Sequence, residues 1–194
     1  MIQLQAPLTE EKVRQLKVGD MVEISGLIFT GRDAVHKWLS EGNTPPVDLK
    51  NGVIYHCGPV VMKEKGKWRV TAAGPTTSIR EEPYQASIIE KFQVRAVIGK
   101  GGMGEKTRLA CEKFGCVYLH AVGGAAQVLA ECVKEVEGVF GIEKWGSPEA
   151  IWQLRVDRRT VVVTIDARGK SLHNDSEAES QAHLQRLRTS EKQS

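Results

Sequence analysis

The sequence predicts a single mixed α/β domain, and three observations favour this fold class. Up to residue 73, several short segments place apolar residues at alternate positions, which is typical of strands. From residue 83 onward, helical and strand-like segments alternate along the chain. With 194 residues, of which 41% are hydrophobic, the chain is long enough to form one substantial core.

The elements of the first half follow from apolar spacing and from turn residues. The Ser25-Gly26 pair separates two strands, and residues 64–67 should join two others as a hairpin. Asp33 is expected to cap a helix. The predicted elements are a helix that starts at Thr9, strands at 21–24 and 27–30, a helix that starts at Asp33, and strands at 53–56, 60–63 and 68–73.

The second half begins with a helix, since Pro83 suits a first helical turn and Tyr84, Ile88 and Phe92 recur on one face. Gly115 should end the next helix, at 105–114. The remaining predicted elements are strands at 94–98 and 116–121, a helix carrying Ala125, Val128, Leu129, Cys132 and Val133, and strands at 151–156 and 161–165. Residues 1–170 should form the domain, and the polar segment 171–194 is predicted to be a mobile tail.

Composition excludes several classes of protein. The 27 basic and 24 acidic residues give a net charge of only +3, so a nucleic acid partner is not expected. Charges at Glu10, Glu11 and Lys12 do not fit a signal peptide, and no apolar run reaches the roughly 18 residues of a membrane span. We therefore expect a soluble, cytoplasmic protein without membrane contact.

The cysteines do not form a metal-binding pattern. No C-x-x-C pair occurs, so we expect reduced, mostly buried thiols and no metal site in this chain. The four cysteines are Cys57, Cys111, Cys116 and Cys132. Likewise His36, His56 and His120 lack metal-ligand spacing, and we expect them to be packed or surface residues without a functional role.

Three segments carry residues suited to binding an anion. Arg32 lies at the start of a predicted helix, where it opposes the helix dipole unless an anion neutralises both; a solvated surface arginine is the alternative. Residues 74–80, GPTTSIR, combine three hydroxyls with Arg80, although an ordinary turn would look similar. Both segments therefore remain candidates for carboxylate or phosphate recognition.

The third segment, residues 99–104 with sequence GKGGMG, lies between a strand and a helix. Its glycines could bring backbone amides and the helix N-terminus close to an anion, and Lys100 would add a positive charge. The spacing satisfies G-x-G-x-x-G, but no acidic residue closes the following strand, so carboxylate binding fits better than a dinucleotide. Gly123-Gly124, before the next predicted helix, could likewise bring backbone amides close to an anion, or could allow close packing of a strand and a helix.

Taken in order, these segments resemble the beta region of class I fumarases and tartrate dehydratases. The most specific pieces are residues 30–34, 73–78 and 98–103, with sequences TGRDA, AGPTTS and IGKGGM. The resemblance spans residues 15–170 and implies a swivelling β/β/α domain. One departure is Asp157-Arg158-Arg159-Thr160, where many relatives have an acidic residue followed by Phe-Pro.

The resemblance also implies roles for particular residues. Arg32, Arg80 and Lys100 would hold the carboxylates of a dicarboxylate substrate, with Thr77 also binding it. Thr76 and Lys100 would be catalytic, Thr76 lying beside the carbon that exchanges its proton. A threonine is a weak base alone, so a carboxylate from the alpha region would act with it.

The resemblance further implies a partner. A separate alpha subunit would carry a [4Fe-4S] cluster, and together the chains would hydrate fumarate to malate or dehydrate tartrate to oxaloacetate. Two alpha and two beta chains would fit, and a homodimer of this chain alone stays open. Two alternatives stay open: a non-catalytic module that binds a dicarboxylate or nucleotide, and a regulatory subunit with an inactive site.

Overall fold

A computed structural model describes residues 1–122, 124 and 126–191 of the chain. The strands are β1 (Ile2–Ala6), β2 (Met21–Thr30), β3 (Val53–Tyr55), β4 (Val60–Glu64), β5 (Lys67–Ala72), β6 (Ala96–Gly99), β7 (Val117–His120), β8 (Val133–Phe140) and β9 (Ile151–Ile165). The helices are α1 (Glu10–Gln15), α2 (Asp33–Ser40), α3 (Glu82–Phe92), α4 (Glu105–Phe114), α5 (Ala126–Glu131), α6 (Ile142–Trp145) and α7 (Leu172–Glu191), with a 3-10 turn at Ser78–Glu81. The predicted α/β class is confirmed.

The main sheet closes on itself. Strands β2, β3, β6 and β7 lie side by side and are parallel, and β9 pairs antiparallel with both β7 and β2. Strand β1 adds to one edge of β2, β8 adds to β9, and β4 with β5 forms a separate hairpin. The four parallel strands therefore end at one common edge of the closed sheet.

The strands direct alternate residues to two cores, as a period of two requires. In β6, Ala96 and Ile98 face the interior cluster, whereas Val97 faces the helical layer. That layer includes Val35 of α2 and Ile88 of α3. The helices thus cover the outside of the parallel strands, and a second hydrophobic core fills the inside of the closed sheet.

Two pairs of predicted strands are in fact single strands. Residues 21–24 and 27–30 both belong to β2, in which the register against β9 shifts between Ile24 and Gly26. Gly26 has a φ of +107°, and a Cβ there would lie 2.5 Å from the carbonyl oxygen of Ala6. A bulge therefore replaces the predicted break. Residues 151–165 likewise run as one strand, β9, because β2 pairs with it from Gln153 to Val162, across the predicted gap.

Other expectations need correction. Helix α5 ends at Glu131, so Cys132 and Val133 lie beyond it, and Ala125 lies outside the described residues. Arg32, not Asp33, occupies the N-cap of α2. Strands β1 and β8 and helix α6 were not predicted. The polar segment after residue 170 forms α7, whose described side chains are mostly exposed; its mobility stays a prediction, and residues 192–194 lie outside the described part.

The expected burial is confirmed for Cys57, Cys111 and Cys116, whereas Cys132 is partly exposed; none of the four forms a disulfide. Among the described helices, none is long and apolar enough to cross a membrane.

Arg159 of β9 is a buried cation inside the closed sheet. Its side chain is fully buried, and within the described residues none of its three nitrogens has a well-formed hydrogen bond. The guanidinium carbon lies 3.9 Å from the centroid of the Tyr55 ring. The aromatic face offsets part of the desolvation cost, but a buried charge without a carboxylate normally remains unfavourable.

We therefore expect Arg159→Met to stabilise the chain. Replacing a buried charge with an apolar side chain of similar length should raise the free energy of unfolding by about 1–4 kcal/mol, measured by urea denaturation. Arg158→Met is the matched control, because the Arg158 side chain is 72% exposed and should change stability by less than about 0.5 kcal/mol. A clear loss of stability in Arg159→Met would contradict the prediction.

Candidate functional site

The predicted site residues lie on neighbouring segments at the common edge of the parallel strands. Arg32 follows the end of β2, and Lys100 follows the end of β6. The chain returning from the β4–β5 hairpin passes between them: the Thr76 amide donates to the His56 carbonyl at 2.7 Å, and Thr77 forms a parallel bridge with Lys100. This return segment joins residues that the sequence separates widely.

Arg32 is held by a carboxylate that the sequence did not reveal. Its Nε lies 3.3 Å from Oε1 of Glu149, and the other oxygen of Glu149 accepts from the Ala34 amide at 2.9 Å. An anion therefore neutralises both the arginine and the N-terminus of α2, as the dipole argument required, but it belongs to the chain itself. Glu149 comes from the loop before β9, so only the fold brings it there.

Gly58 leaves room for the Arg32 side chain. A Cβ at Gly58 would lie 2.7 Å from an Arg32 guanidinium nitrogen and 2.6 Å from the Pro148 carbonyl oxygen. Next to Gly58, Cys57 forms a bridge with Pro75, which immediately precedes Thr76. Arg32 and Thr76 are therefore tied to adjacent residues of the same loop.

Arg80 is exposed and forms an ion pair with Asp33, the first residue of α2. Because Asp33 follows Arg32 in sequence, this pair places both arginine-bearing segments at the same end of α2. Both arginines are thus paired with carboxylates of the chain.

Lys100 differs from the two arginines. It is half-buried, and the ion pairs among the described residues do not include its ammonium group. Its backbone is fixed by Ser78, whose hydroxyl oxygen accepts from the Lys100 amide at 3.2 Å and whose amide donates to the Lys100 carbonyl at 3.0 Å. Ser78 therefore fixes the backbone of Lys100, while the Lys100 ammonium group can still form an ion pair with an anion.

The expectation that the N-terminus of α4 binds an external anion is wrong. The Glu82 carboxylate already fills it, accepting from the amides of Gly104, Lys106 and Thr107 at 2.8 to 3.2 Å and from the Thr107 hydroxyl at 2.7 Å. The glycines serve close packing instead: a Cβ at Gly99 would lie 1.8 Å from Oγ of Ser78. In the second glycine pair, Gly124 lies in a turn and Gly123 lies outside the described residues.

A buried carboxyl lies behind the two arginines. Glu81 is fully buried, and neither of its oxygens has a hydrogen-bond partner of good geometry among the described residues. Burial, reinforced by Asp33 and then by Glu149, raises the pKa of Glu81 to about 9. At neutral pH this side chain is therefore uncharged, and it does not compete with Asp33 for Arg80.

Comparison with known proteins places this site in a family context. The family described as Fumarase C-terminus matches residues 1–176. A Geobacillus stearothermophilus relative named "Putative fumarate hydratase class I" is 58% identical over 189 residues, which cover 97% of this chain but only 36% of the relative. This chain thus spans about a third of that relative's length.

Two further relatives are similar in length to this chain. One from Methanocaldococcus jannaschii, named "Putative L(+)-tartrate dehydratase subunit beta", is 38% identical over 173 residues, covering 87% of this chain and 89% of the relative. The L(+)-tartrate dehydratase subunit beta of Escherichia coli strain K12 is 38% identical over 171 residues, covering 87% of this chain and 85% of the relative.

The raised pKa of Glu81 predicts a pH-dependent stability. Between its ordinary value of 4.5 and about 9, the folded chain keeps a proton on Glu81 that the unfolded chain releases, so stability falls as pH rises. In Glu81→Gln this loss disappears, so relative to the parent the variant should gain about 1.4 kcal/mol per pH unit between pH 5 and pH 9, up to about 5 kcal/mol in total. Urea denaturation across this range measures the difference.

The control is Glu90→Gln, an exposed carboxylate on the same helix as Glu82, for which the difference from the parent should not change with pH. A constant difference for Glu81→Gln as well would show that Glu81 is ionised in the folded chain.

Proposed function

The chain belongs to the Fumarase C-terminus family, and from this premise we propose that it is the beta part of a hydro-lyase that acts on a small dicarboxylate. The reaction is hydration of fumarate to malate or dehydration of tartrate to oxaloacetate, the activities that the names of its relatives carry. The proposal concerns the whole enzyme, of which this chain would form one part.

One observation supports this proposal most directly: three cations and two threonine hydroxyls lie on adjoining segments at one edge of the sheet. Arg32 and Lys100 follow two different strands, and Thr76, Thr77 and Arg80 lie on the return segment and its 3-10 turn between them. A substrate with two carboxylates needs cations on more than one side. This edge offers them from different strands.

The chemistry of dehydration explains these residue types. Removing the proton next to a carboxylate increases the negative charge on that carboxylate, and fixed cations stabilise the charge as it develops. The ion pairs with Glu149 and Asp33 hold Arg32 and Arg80 in place beforehand, so little reorganisation is needed. We assign the substrate carboxylates to Arg32, Arg80 and Lys100, with Thr77 as a further contact.

Thr76 is proposed to handle the proton. Its amide is fixed by the His56 carbonyl, and its side chain is half-buried beside the cation-bearing loops. A hydroxyl abstracts a proton only when a stronger base takes the proton in turn. In the proposal that base is a carboxylate of a partner subunit, so the catalytic residues are completed across an interface.

The residues of this chain do not fit the [4Fe-4S] cluster that the resemblance implies. Cys57, Cys111 and Cys116 are buried, and burial raises the pKa of Cys57 to about 12, which disfavours a thiolate ligand. Within the described residues, no group of three or more His, Cys, Asp and Glu could hold a metal. We therefore assign the cluster to an alpha subunit in a hetero-oligomer, with two chains of each kind as the simplest assembly.

Lys100→Met is predicted to lower the turnover of the assembled enzyme by about 10²- to 10³-fold, because the ammonium that stabilises the developing charge is lost. The assay is anaerobic hydration of fumarate, and separately dehydration of tartrate, by this chain combined with its cluster-bearing partner. Lys106→Met is the control, since this lysine is exposed on the first turn of α4 and should leave turnover unchanged.

The same assay separates the alternatives. Activity with neither dicarboxylate in a cluster-loaded assembly would contradict both substrates. Tight binding of a dicarboxylate or nucleotide by this chain alone, without activity in any assembly, would favour a binding module.

Thr76→Ala and Thr76→Ser test the proton-handling role. Thr76→Ala removes the hydroxyl and should lower turnover by about 10²- to 10⁴-fold, the usual contribution of a positioned acid or base. Thr76→Ser keeps the hydroxyl and should retain most of the parent's turnover. Unchanged turnover in Thr76→Ala would instead indicate a regulatory subunit with an inactive site. Thr71→Ala, an exchange on the neighbouring hairpin, controls for loss of a threonine.

A further inference from the structure

A chain of buried polar side chains lies beneath the site. His36 and His56 are both fully buried, and their ring centroids are 4.9 Å apart. Oε1 of Gln85, on α3, lies 3.0 Å from Nε2 of His36 and 2.9 Å from Nε2 of His56. One amide therefore bridges two imidazoles in the core.

The outer ends of this chain reach the site loops. Nδ1 of His36 lies 3.0 Å from the Arg32 carbonyl oxygen, and Nδ1 of His56 lies 2.9 Å from Oγ of Ser78. The same Ser78 hydroxyl accepts from the Lys100 amide. The chain thus runs without interruption from the backbone of Arg32 to the backbone of Lys100.

The bridging atom of Gln85 cannot be an oxygen if both rings are neutral. An oxygen would require a proton on Nε2 of each ring, and His36 must also donate from Nδ1, because the Arg32 carbonyl only accepts. His36 would then be a buried cation. The facing carboxyl, Glu81, has an oxygen 3.7 Å from Nδ1 of His36 but is itself neutral, and burial lowers the pKa of both histidines.

Turning the Gln85 amide by half a rotation removes this conflict, since oxygen and nitrogen of an amide are told apart only by their partners. With oxygen toward the rings, Nε2 of Gln85 is buried without a partner among the described residues. With nitrogen toward the rings, its two hydrogens match the two Nε2 acceptors. Nδ1–H of His36 then donates to Arg32, and Nδ1–H of His56 donates to Ser78.

The bonds around Ser78 then also balance. Its two lone pairs accept from His56 and from the Lys100 amide, which leaves its own hydrogen for the Tyr118 hydroxyl oxygen, 2.9 Å away. From the Arg32 carbonyl to Ser78, each hydrogen then has one acceptor, and the donors and acceptors follow one another in a single direction.

We propose that Gln85 is a positioning residue whose amide nitrogen donates to both His36 and His56, holding them as neutral Nδ1–H tautomers and thereby fixing the loops of Arg32, Thr76 and Lys100 relative to one another. The inference rests on the proposed function for its catalytic meaning. The arrangement of hydrogens is a property of the chain by itself. Gln85 acts through the histidines and does not touch substrate.

Nitrogen-15 NMR of the histidine rings in the full chain tests the arrangement directly. Two of the five rings should show a protonated Nδ1 and an unprotonated Nε2, unchanged between about pH 5 and 8, where ordinary histidines titrate. The Gln85→Met variant identifies them, because their Nε2 signals should shift. A protonated Nε2 in either ring, or a cationic ring at neutral pH, would overturn the proposal.

Amide hydrogen exchange tests the positioning role without any assay of activity. In Gln85→Met the Lys100 amide should exchange roughly five- to tenfold faster, as expected when a hydrogen-bonded support worth about 1 kcal/mol is lost. Ile88→Met, an equally buried position on the same helix, controls for disturbed packing. Equal exchange in the two variants would overturn the role.

Neither measurement depends on the proposed reaction. If the rings and the exchange behave as expected while Lys100→Met leaves turnover unchanged, the proposed function fails and the positioning network stands. If Lys100→Met lowers turnover as predicted but Nε2 of His36 or His56 is protonated, the proposed function stands and the positioning network fails.

Discussion

The antiparallel pairing of β2 with β9 is the constraint on which the rest of the structure depends. β2 pairs on its other edge with β1 and β3, so β9 closes the sheet by taking the edge that would otherwise remain open. Closure completes a sheet in which β2, β3, β6 and β7 are parallel neighbours and therefore end at one edge. The loops that carry Arg32 and Lys100 are neighbours for this reason, and the return segment with Thr76 and Thr77 is enclosed between them.

Within that frame, carboxylates of the chain set the electrostatics. Glu149 pairs with Arg32, Asp33 pairs with Arg80, and Glu82 caps α4. Glu81, although close to these groups, stays neutral because burial raises its pKa. In the proposed function, a substrate carboxylate would meet two cations that are already oriented but partly neutralised, and Lys100, whose charge has no ion pair among the described residues. Lys100 should contribute the largest share of new attraction.

Local signals in the sequence predict the local elements well. Helix α4 lies at the predicted bounds because Gly115 adopts the left-handed conformation that ends it, and the β4–β5 hairpin turns where expected. The three segments proposed to bind an anion were selected from the sequence because glycine, hydroxyl and cation clusters are local, and their role in binding stays a prediction. Strand β8 was not predicted, since it follows α5 almost directly and its exposed charged residues give no apolar alternation. Neither Glu149 nor the Gln85 bridge leaves a local signal, because each meets its partners only through the closed sheet.

The glycine loop shows why a motif alone does not define a ligand. Its spacing suits a phosphate at a helix N-terminus, yet the amides of α4 are satisfied by Glu82, and Gly99 is required for the approach of Ser78. The amides of α4 that Glu82 occupies are not available to a ligand, so the proposed recognition rests on side-chain cations. Cations on separate loops favour a ligand with two separated carboxylates over one with a single compact phosphate, which connects the geometry of the edge to the substrate class proposed for it.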